Sequence, residues 1–293
     1  MEDTLVIRDL RKSYPGFLLQ DVSFRLTRGF IMGLIGPNGA GKTTVIKLIL
    51  NLVRRDGGQV TVLGRDNLTD EVWIKSRLGF VHETPAYYGH LTPRQTARLV
   101  SRFYSAWDEA RFQGLAGEFG LPLDKKVGRL SRGTIMKLSL ALALSHGAEF
   151  LLLDEPTSGL DPVFRRELLE TLSGLLQDGR TSVLFSTHIT SDLERLADFL
   201  TFLRGGEVVF SASREDLRDA WVLVKGGNEL LNEHRRPLFR AVRSTPFGFQ
   251  GLSSRGEEVR RAFSAESVVF EKPSLDEIVF FLSKESQDVP AGR

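Results

Sequence analysis

The stretch Gly36-Pro37-Asn38-Gly39-Ala40-Gly41-Lys42-Thr43-Thr44 decides the fold of this chain. It fits the phosphate-loop pattern G-x-x-x-x-G-K-[ST]. Phe30 to Ile35 precedes it as a short apolar strand, and Thr44 to Val53 follows with apolar residues at helical spacing. The motif therefore sits between a strand and a helix N-terminus, where its mechanics require it. Glycines at 36, 39 and 41 permit backbone angles and close approaches that a Cβ obstructs. Backbone N–H groups of the loop and the positive end of the helix then surround a polyphosphate. Lys42 reaches the outer phosphates and the Thr43 hydroxyl ligates Mg²⁺. The competing reading is a glycine-rich turn with no ligand. A chance match is expected in only about one chain in a hundred of this length, and the flanking strand and helix reduce that further.

The remaining composition is that of a globular protein. Of 293 residues, 41% are hydrophobic and 26% charged, and 20 are Phe, enough for one large domain and a small one. The net charge of +2 gives no strong case for a nucleic-acid binder, although the pI is 8.9. Cysteine is absent, which excludes disulfides and thiolate metal sites. The acidic start Met1-Glu2-Asp3-Thr4 does not resemble a signal peptide. No apolar run approaches the ~20 residues of a bilayer span, so membrane association is expected through a partner or a surface.

Outward from the motif, residues 4 to 29 read as strands Leu5–Ile7, Phe17–Leu19 and Val22–Leu26, and residues 57 to 63 as another. Leu78 to Val81 is a short strand, and helix dominates from Thr92 to Ser145, with Thr92 as cap and Pro93 in the first turn. Phe150 to Leu153 is fully apolar and reads as a buried central strand. Arg165 to Leu176 and Ser191 to Ala197 read as helices around a strand at Ser182–Phe185, and a hairpin closes the series around Gly205-Gly206. This alternation predicts an α/β fold with a mostly parallel core sheet. From Arg214 onward the chain carries 13 Lys/Arg and 13 Asp/Glu. Candidate strands Trp221–Val224 and Val268–Phe270 and a helical pattern from Ser274 to Leu282 predict a small C-terminal α+β appendage. The boundaries expected are 1–213, 214–285 and a disordered tail over 286–293.

A second constellation carries the chemistry. Asp154 and Glu155 end the apolar strand. In phosphate-loop ATPases an acid here supports Mg²⁺ beside Thr43, and Glu155 is placed to polarise a water for in-line attack on the γ-phosphate. Alone, the pair is also an ordinary exposed strand end. His188 follows the next apolar strand. A lone histidine is more often structural, but ligands of open α/β sheets gather at strand ends, which favours a role at the γ-phosphate.

At this point residues 4 to 212 resemble the ATP-binding subunits of ABC transporters. Tyr14 is similar to the adenine-stacking aromatic, Gly36 to Thr43 to the Walker A loop, and Leu130-Ser131-Arg132-Gly133-Thr134 to the signature segment. Leu151 to Asp154 resembles Walker B, Glu155 the catalytic glutamate, Ser158-Gly159-Leu160-Asp161 the D-loop, and His188 the switch histidine. The resemblance implies a P-loop NTPase fold with an N-terminal antiparallel β subdomain and a helical subdomain near 86–145. It implies ATP held by Tyr14, by Gly36, Pro37, Asn38, Gly39, Ala40, Gly41, Lys42, Thr43 and Thr44, and by Ser131 and Gly133. Mg²⁺ falls to Thr43, Asp154 and Glu83, and catalysis to Lys42, Glu155 and His188. It implies two such domains closing head-to-tail, as a homodimer or heterodimer, with Ser131 completing the partner's site. A transmembrane permease subunit holds the pair at the cytoplasmic face of the membrane.

Three positions depart from the pattern. Glu83 stands where the family has glutamine, Arg132 where it has glycine, and Thr134 where glutamine is usual. Aromatics Tyr87, Tyr88, Phe103, Tyr104 and Trp107 are expected to be mostly core, with some lining a groove for a helix of the membrane subunit. The signature segment is similar to those of drug- and antibiotic-resistance exporters. The alternative functions are a soluble ABC-type ATPase acting on nucleic acid or ribosomes, and a degenerate regulatory ATP binder.

Overall fold

A computed structural model describes residues 2–175, 179 and 181–284. It divides into two compact units, Met1–Asp192 with Leu196–Ser211, and Leu193–Arg195 with Ala212–Arg293. The expected tail over 286–293 lies outside the described residues.

The chain opens with two long strands, β1 (Asp3–Tyr14) and β2 (Phe17–Thr27), paired antiparallel. The segments Phe17–Leu19 and Val22–Leu26 are thus one strand, because the turn-like residues between them are absorbed as register irregularities in the pair. Next come β3 (Ile31–Ile35), α1 (Lys42–Ile49), β4 (Gly57–Val62), β5 (Arg65–Asp66), α2 (Glu71–Lys75) and β6 (Leu78–Val81). Three helices follow, α3 (Pro93–Ser101), α4 (Glu109–Glu118) and α5 (Arg132–Leu144). The chain then continues through β7 (Phe150–Asp154), α6 (Pro162–Leu175), β8 (Ser182–Thr187), α7 (Thr190–Leu196), β9 (Phe199–Arg204) and β10 (Glu207–Ser213).

Two sheets organise this unit. One has the order β2-β1-β4-β5 and the other β10-β9-β3-β8-β7-β6. In the second, β9, β3, β8, β7 and β6 run parallel. Every residue of β3, β7 and β8 is buried, as expected where a parallel sheet is covered on both faces. The main core joins Leu5, Ile7 and Leu26 of the antiparallel sheet to Leu34, Leu152 and Leu184 of the parallel one, with Val45 and Ile46 of α1 between. Fully burying a Leu or Ile contributes about 1.5–3 kcal/mol. The helices α3 to α5 have a separate core of Ala97, Phe112, Ala116, Leu138 and Leu142.

Register fixes the site. Ile35 of β3 pairs with Thr187 of β8, and Asp154 of β7 with Ser186. The residues that follow, Gly36, Glu155 and His188, therefore leave the sheet at one edge, the carboxyl ends where α/β folds bind ligands.

The second unit contains α8 (Arg214–Ala220), β11 (Val222–Gly226), β12 (Ala241–Thr245), β13 (Gly248–Ser253), α9 (Gly256–Ala262), β14 (Val269–Glu271) and α10 (Leu275–Lys284). Its sheet has the order β12-β13-β11-β14, all antiparallel, over a core of Val224, Phe239, Phe249, Val259 and Phe263. Sequence reading finds β11, β14 and α10 but not the hairpin β12–β13, whose arginine, serine and glutamine residues dilute the apolar alternation.

Candidate functional site

The phosphate loop is shaped by its glycines. Gly41 has φ of 107°, and a Cβ there would come within 2.9 Å of the Phe17 ring and 3.0 Å of Leu19. A Cβ on Gly36 would lie 2.4 Å from the Leu203 carbonyl oxygen. The loop is thus pressed onto neighbouring strands, and only glycine fits. Gly41 is also the residue that starts α1, and no side chain caps that end. The first amides of the helix are left for a ligand.

This loop floors a cleft of about 900 Å³. Its walls are Gly16, Phe17, the run Pro37 to Thr44, Glu83, Glu155, Ser158 and His188. Lys42 Nζ donates to the carbonyls of Gly36 (2.7 Å) and Pro37 (3.4 Å) and pairs with Glu155 Oε1 at 3.2 Å. Both partners are buried. The other carboxylate oxygen, Glu155 Oε2, lies 2.8 Å from His188 Nδ1 and accepts from the His188 backbone N–H at 3.4 Å. Glu155 adopts φ of 49°, a conformation L-residues rarely take. Its N–H donates to the hydroxyl and carbonyl of Ser186, both at 3.1 Å, which fixes the bend. The outcome is a line Lys42–Glu155–His188 across the carboxyl ends of three adjacent strands. Phosphate oxygens can take the place of Glu155 at the Lys42 ammonium, an exchange that would free the carboxylate to accept a proton.

Asp154 is buried and accepts from Ser186 Oγ at 2.7 Å and from Thr43 Oγ1 at 3.4 Å. The Thr43 hydroxyl and the carboxylates of Asp154 and Glu83 are all oxygen donors, the kind that Mg²⁺ prefers. Among the described residues no three His, Cys, Asp or Glu side chains form a cage of their own. That suits an ion held by one or two carboxylates and a hydroxyl together with substrate phosphates.

Not every expected residue lines this cleft. Tyr14 is partly exposed at the β1–β2 turn with Lys12 Nζ 5.5 Å from its ring centre, and the aromatic on the cleft wall is Phe17. Ser131 and Gly133 are outside it, at the start of α5, where Ser131 Oγ accepts from the Thr134 N–H at 3.2 Å as an N-cap. Of the five aromatics, Tyr87 and Trp107 pack on the helical core, with Tyr87 Oη hydrogen-bonded to Ser139 at 3.1 Å. Tyr104 stacks on buried His146 at 3.9 Å, while Tyr88 and Phe103 are exposed. Tyr88 borders a shallow depression with His90, Leu91, Gln95, Arg98, Leu99 and Arg102.

Sequence reading misses the residues that orient the site. Ser186 holds both strand-end acids. Thr157 donates to buried Asp192 at 2.8 Å, and Arg165 Nε donates to the same carboxylate at 2.6 Å. The one available signal is Ser186-Thr187 ending an apolar strand, since a buried hydroxyl needs a partner.

A phosphate loop after β3 of a parallel sheet, with acids ending β7 on the far side of β8, defines the P-loop class of nucleoside-triphosphate-binding proteins. The family model described as ABC transporter matches residues 19–158. The lantibiotic transport ATP-binding protein SrtF of Streptococcus pyogenes is 32% identical over 79% of this chain and 100% of its own length. The fluoroquinolones export ATP-binding protein MT2762 of Mycobacterium tuberculosis is 31% identical over 94% of this chain and 92% of its own. A solved structure described as the ATP binding subunit of an ABC transporter superposes with a TM-score of 0.67 at 30% identity, covering 74% of this chain and 92% of that one. The chain belongs to the ATP-binding subunits of ABC transporters, and it is an ATPase that powers transport by a separate membrane subunit. No helix among the described residues is long and apolar enough to cross a membrane.

Proposed function

We propose that the cleft binds ATP with Mg²⁺ and hydrolyses it to drive export through a transmembrane permease. The observation that carries this reading is the Glu155 carboxylate held between Lys42 and His188 at the head of α1. The amides from Gly36 to Thr44 cradle the phosphates, and Lys42 neutralises the outer ones. Tyr14, exposed at the β1–β2 turn next to the cleft-wall residues Gly16 and Phe17, stacks on adenine. Thr43, Asp154 and Glu83 supply oxygens to Mg²⁺, which when bound offsets charge on the phosphates. Glu155 takes the proton of the attacking water, and His188 orients the carboxylate and donates toward the γ-phosphate.

Ser131 and Gly133 lie outside the cleft of their own chain, which supports a site completed by a second copy or a homologue. Two chains related by a two-fold then make two composite sites. The unit from residue 1 to 213 is the ATP-binding domain, with a helical subdomain near 86–145, and residues 214–285 form an accessory domain. Export is supported by the likeness to the fluoroquinolones export ATP-binding protein of Mycobacterium tuberculosis. Permease attachment places the protein at the cytoplasmic face of the membrane, and exposed Tyr88 and Phe103 mark the docking side. The test is Glu155→Gln, measured for ATP binding and phosphate release. Retained binding with near-complete loss of turnover supports the assignment, and turnover at the wild-type rate refutes it.

A further inference from the structure

Glu83 lines the nucleotide cleft, but its carboxylate is already engaged. Oε1 accepts from Arg132 Nη2 at 3.3 Å and from Ser158 Oγ at 3.1 Å. The same guanidinium nitrogen lies 3.5 Å from the Glu83 carbonyl oxygen. Gly159, with φ of 67°, lets the guanidinium lie against its backbone, since a Cβ there would come within 2.7 Å of Nη1. Three segments therefore converge on one carboxylate: the loop after β6, the first turn of α5, and the loop after Glu155.

The position of Arg132 explains why it needs an anion. It is the first residue of α5, where the helix dipole already carries positive partial charge. A cation there is unfavourable unless a carboxylate faces it, and Glu83 does. The pair is also built to open. Its side chains are 46% and 42% exposed, so water screens the attraction and the bond is weak. Glu83 also lines the cleft, so a divalent cation held there with triphosphate would compete with Arg132 for the same carboxylate.

We propose that Arg132 is a positioning residue that acts through Glu83 to set the Mg²⁺ demand of the nucleotide cleft. While the pair is closed, Glu83 is committed to Arg132 and Ser158. Loading Mg²⁺ with nucleotide requires the carboxylate to change partners, which frees the guanidinium at the head of α5. By linkage, whatever stabilises the closed pair weakens cation loading, and cation loading weakens the pair. This inference rests on the reading of the cleft as an Mg²⁺–ATP site.

The experiment is equilibrium binding of trinitrophenyl-ATP to the full chain across a Mg²⁺ titration, in the wild type, Arg132→Gln, Glu83→Gln and the double variant. Thermal melting checks that each is folded. Arg132→Gln is expected to lower the Mg²⁺ midpoint about two- to fivefold, the range of an exposed pair. Glu83→Gln raises it, and in that background Arg132→Gln has no further effect. An equal shift in both backgrounds overturns the proposal, because Arg132 then acts without Glu83. So does a midpoint that Arg132→Gln leaves unmoved. A Lys42→Ala control isolates the underlying reading: if it binds nucleotide as the wild type does, the cleft assignment itself fails, and the inference with it.

Discussion

Glu155 spends backbone strain to face inward, with φ of 49° at the end of β7. A left-handed φ at a non-glycine residue costs of order 1–3 kcal/mol and persists where the surroundings over-determine it. Here two bonds from the Glu155 N–H to Ser186 and the pairs with Lys42 and His188 do so. Ser186→Ala is expected to lower turnover more than ATP affinity, because it removes partners of both Asp154 and Glu155. Equal losses in the two, from rate and binding measurements, would count against that role. A second residue-scale prediction concerns His146. Burial pushes its imidazole down to about 4, and its Nδ1 has no hydrogen-bond partner. The folded chain therefore keeps His146 neutral through pH 5, whereas the unfolded chain protonates it below about 6.5. The unfolded state then binds more protons, so stability is lost as pH falls, by about 2 kcal/mol between pH 7.5 and 5. His146→Phe, which keeps the ring against Tyr104, should remove that share of the acid sensitivity, read as the difference in Tm between the two pH values. An unchanged difference would show that His146 is not its source.

Elements carry the recognition of partners. Exposed Tyr88 and Phe103 sit on the helical part of the first unit, while Tyr87 is fixed to α5 through Ser139. Replacing both Tyr88 and Phe103 by alanine should reduce transport in permease-containing vesicles and leave the basal ATPase rate of the isolated subunit within about twofold, since exposed changes rarely shift stability by more than ~0.5 kcal/mol. Unchanged transport would place the docking side elsewhere. The phosphate loop and β7 were legible because each has a local signal: glycines before Lys42 and four apolar residues before Asp154. The antiparallel hairpin β12–β13 was not, because its strands are short and half polar. Nor was the pairing of Glu83 with Arg132, which joins residues 49 apart and leaves no periodic trace. The line Lys42–Glu155–His188 follows from strand register, so its members were readable singly, while the bonds between them needed the fold.

On the proposed head-to-tail pairing, the whole molecule would present half of each of two sites. Its cleft holds the loop, the acids and the histidine, while Ser131 and Gly133 start a helix outside that cleft. The account therefore predicts that catalysis belongs to a pair of chains, and complementation tests this most directly. Lys42→Ala disables the cleft and Ser131→Arg disables the surface offered to a partner, so each variant alone should release almost no phosphate from ATP. When equal amounts are mixed, half the dimers contain one site with both defects and one with neither, so activity should return to about a quarter of the wild-type rate. A mixture as inert as its components, or a Ser131→Arg protein that hydrolyses ATP at full rate by itself, would contradict the account.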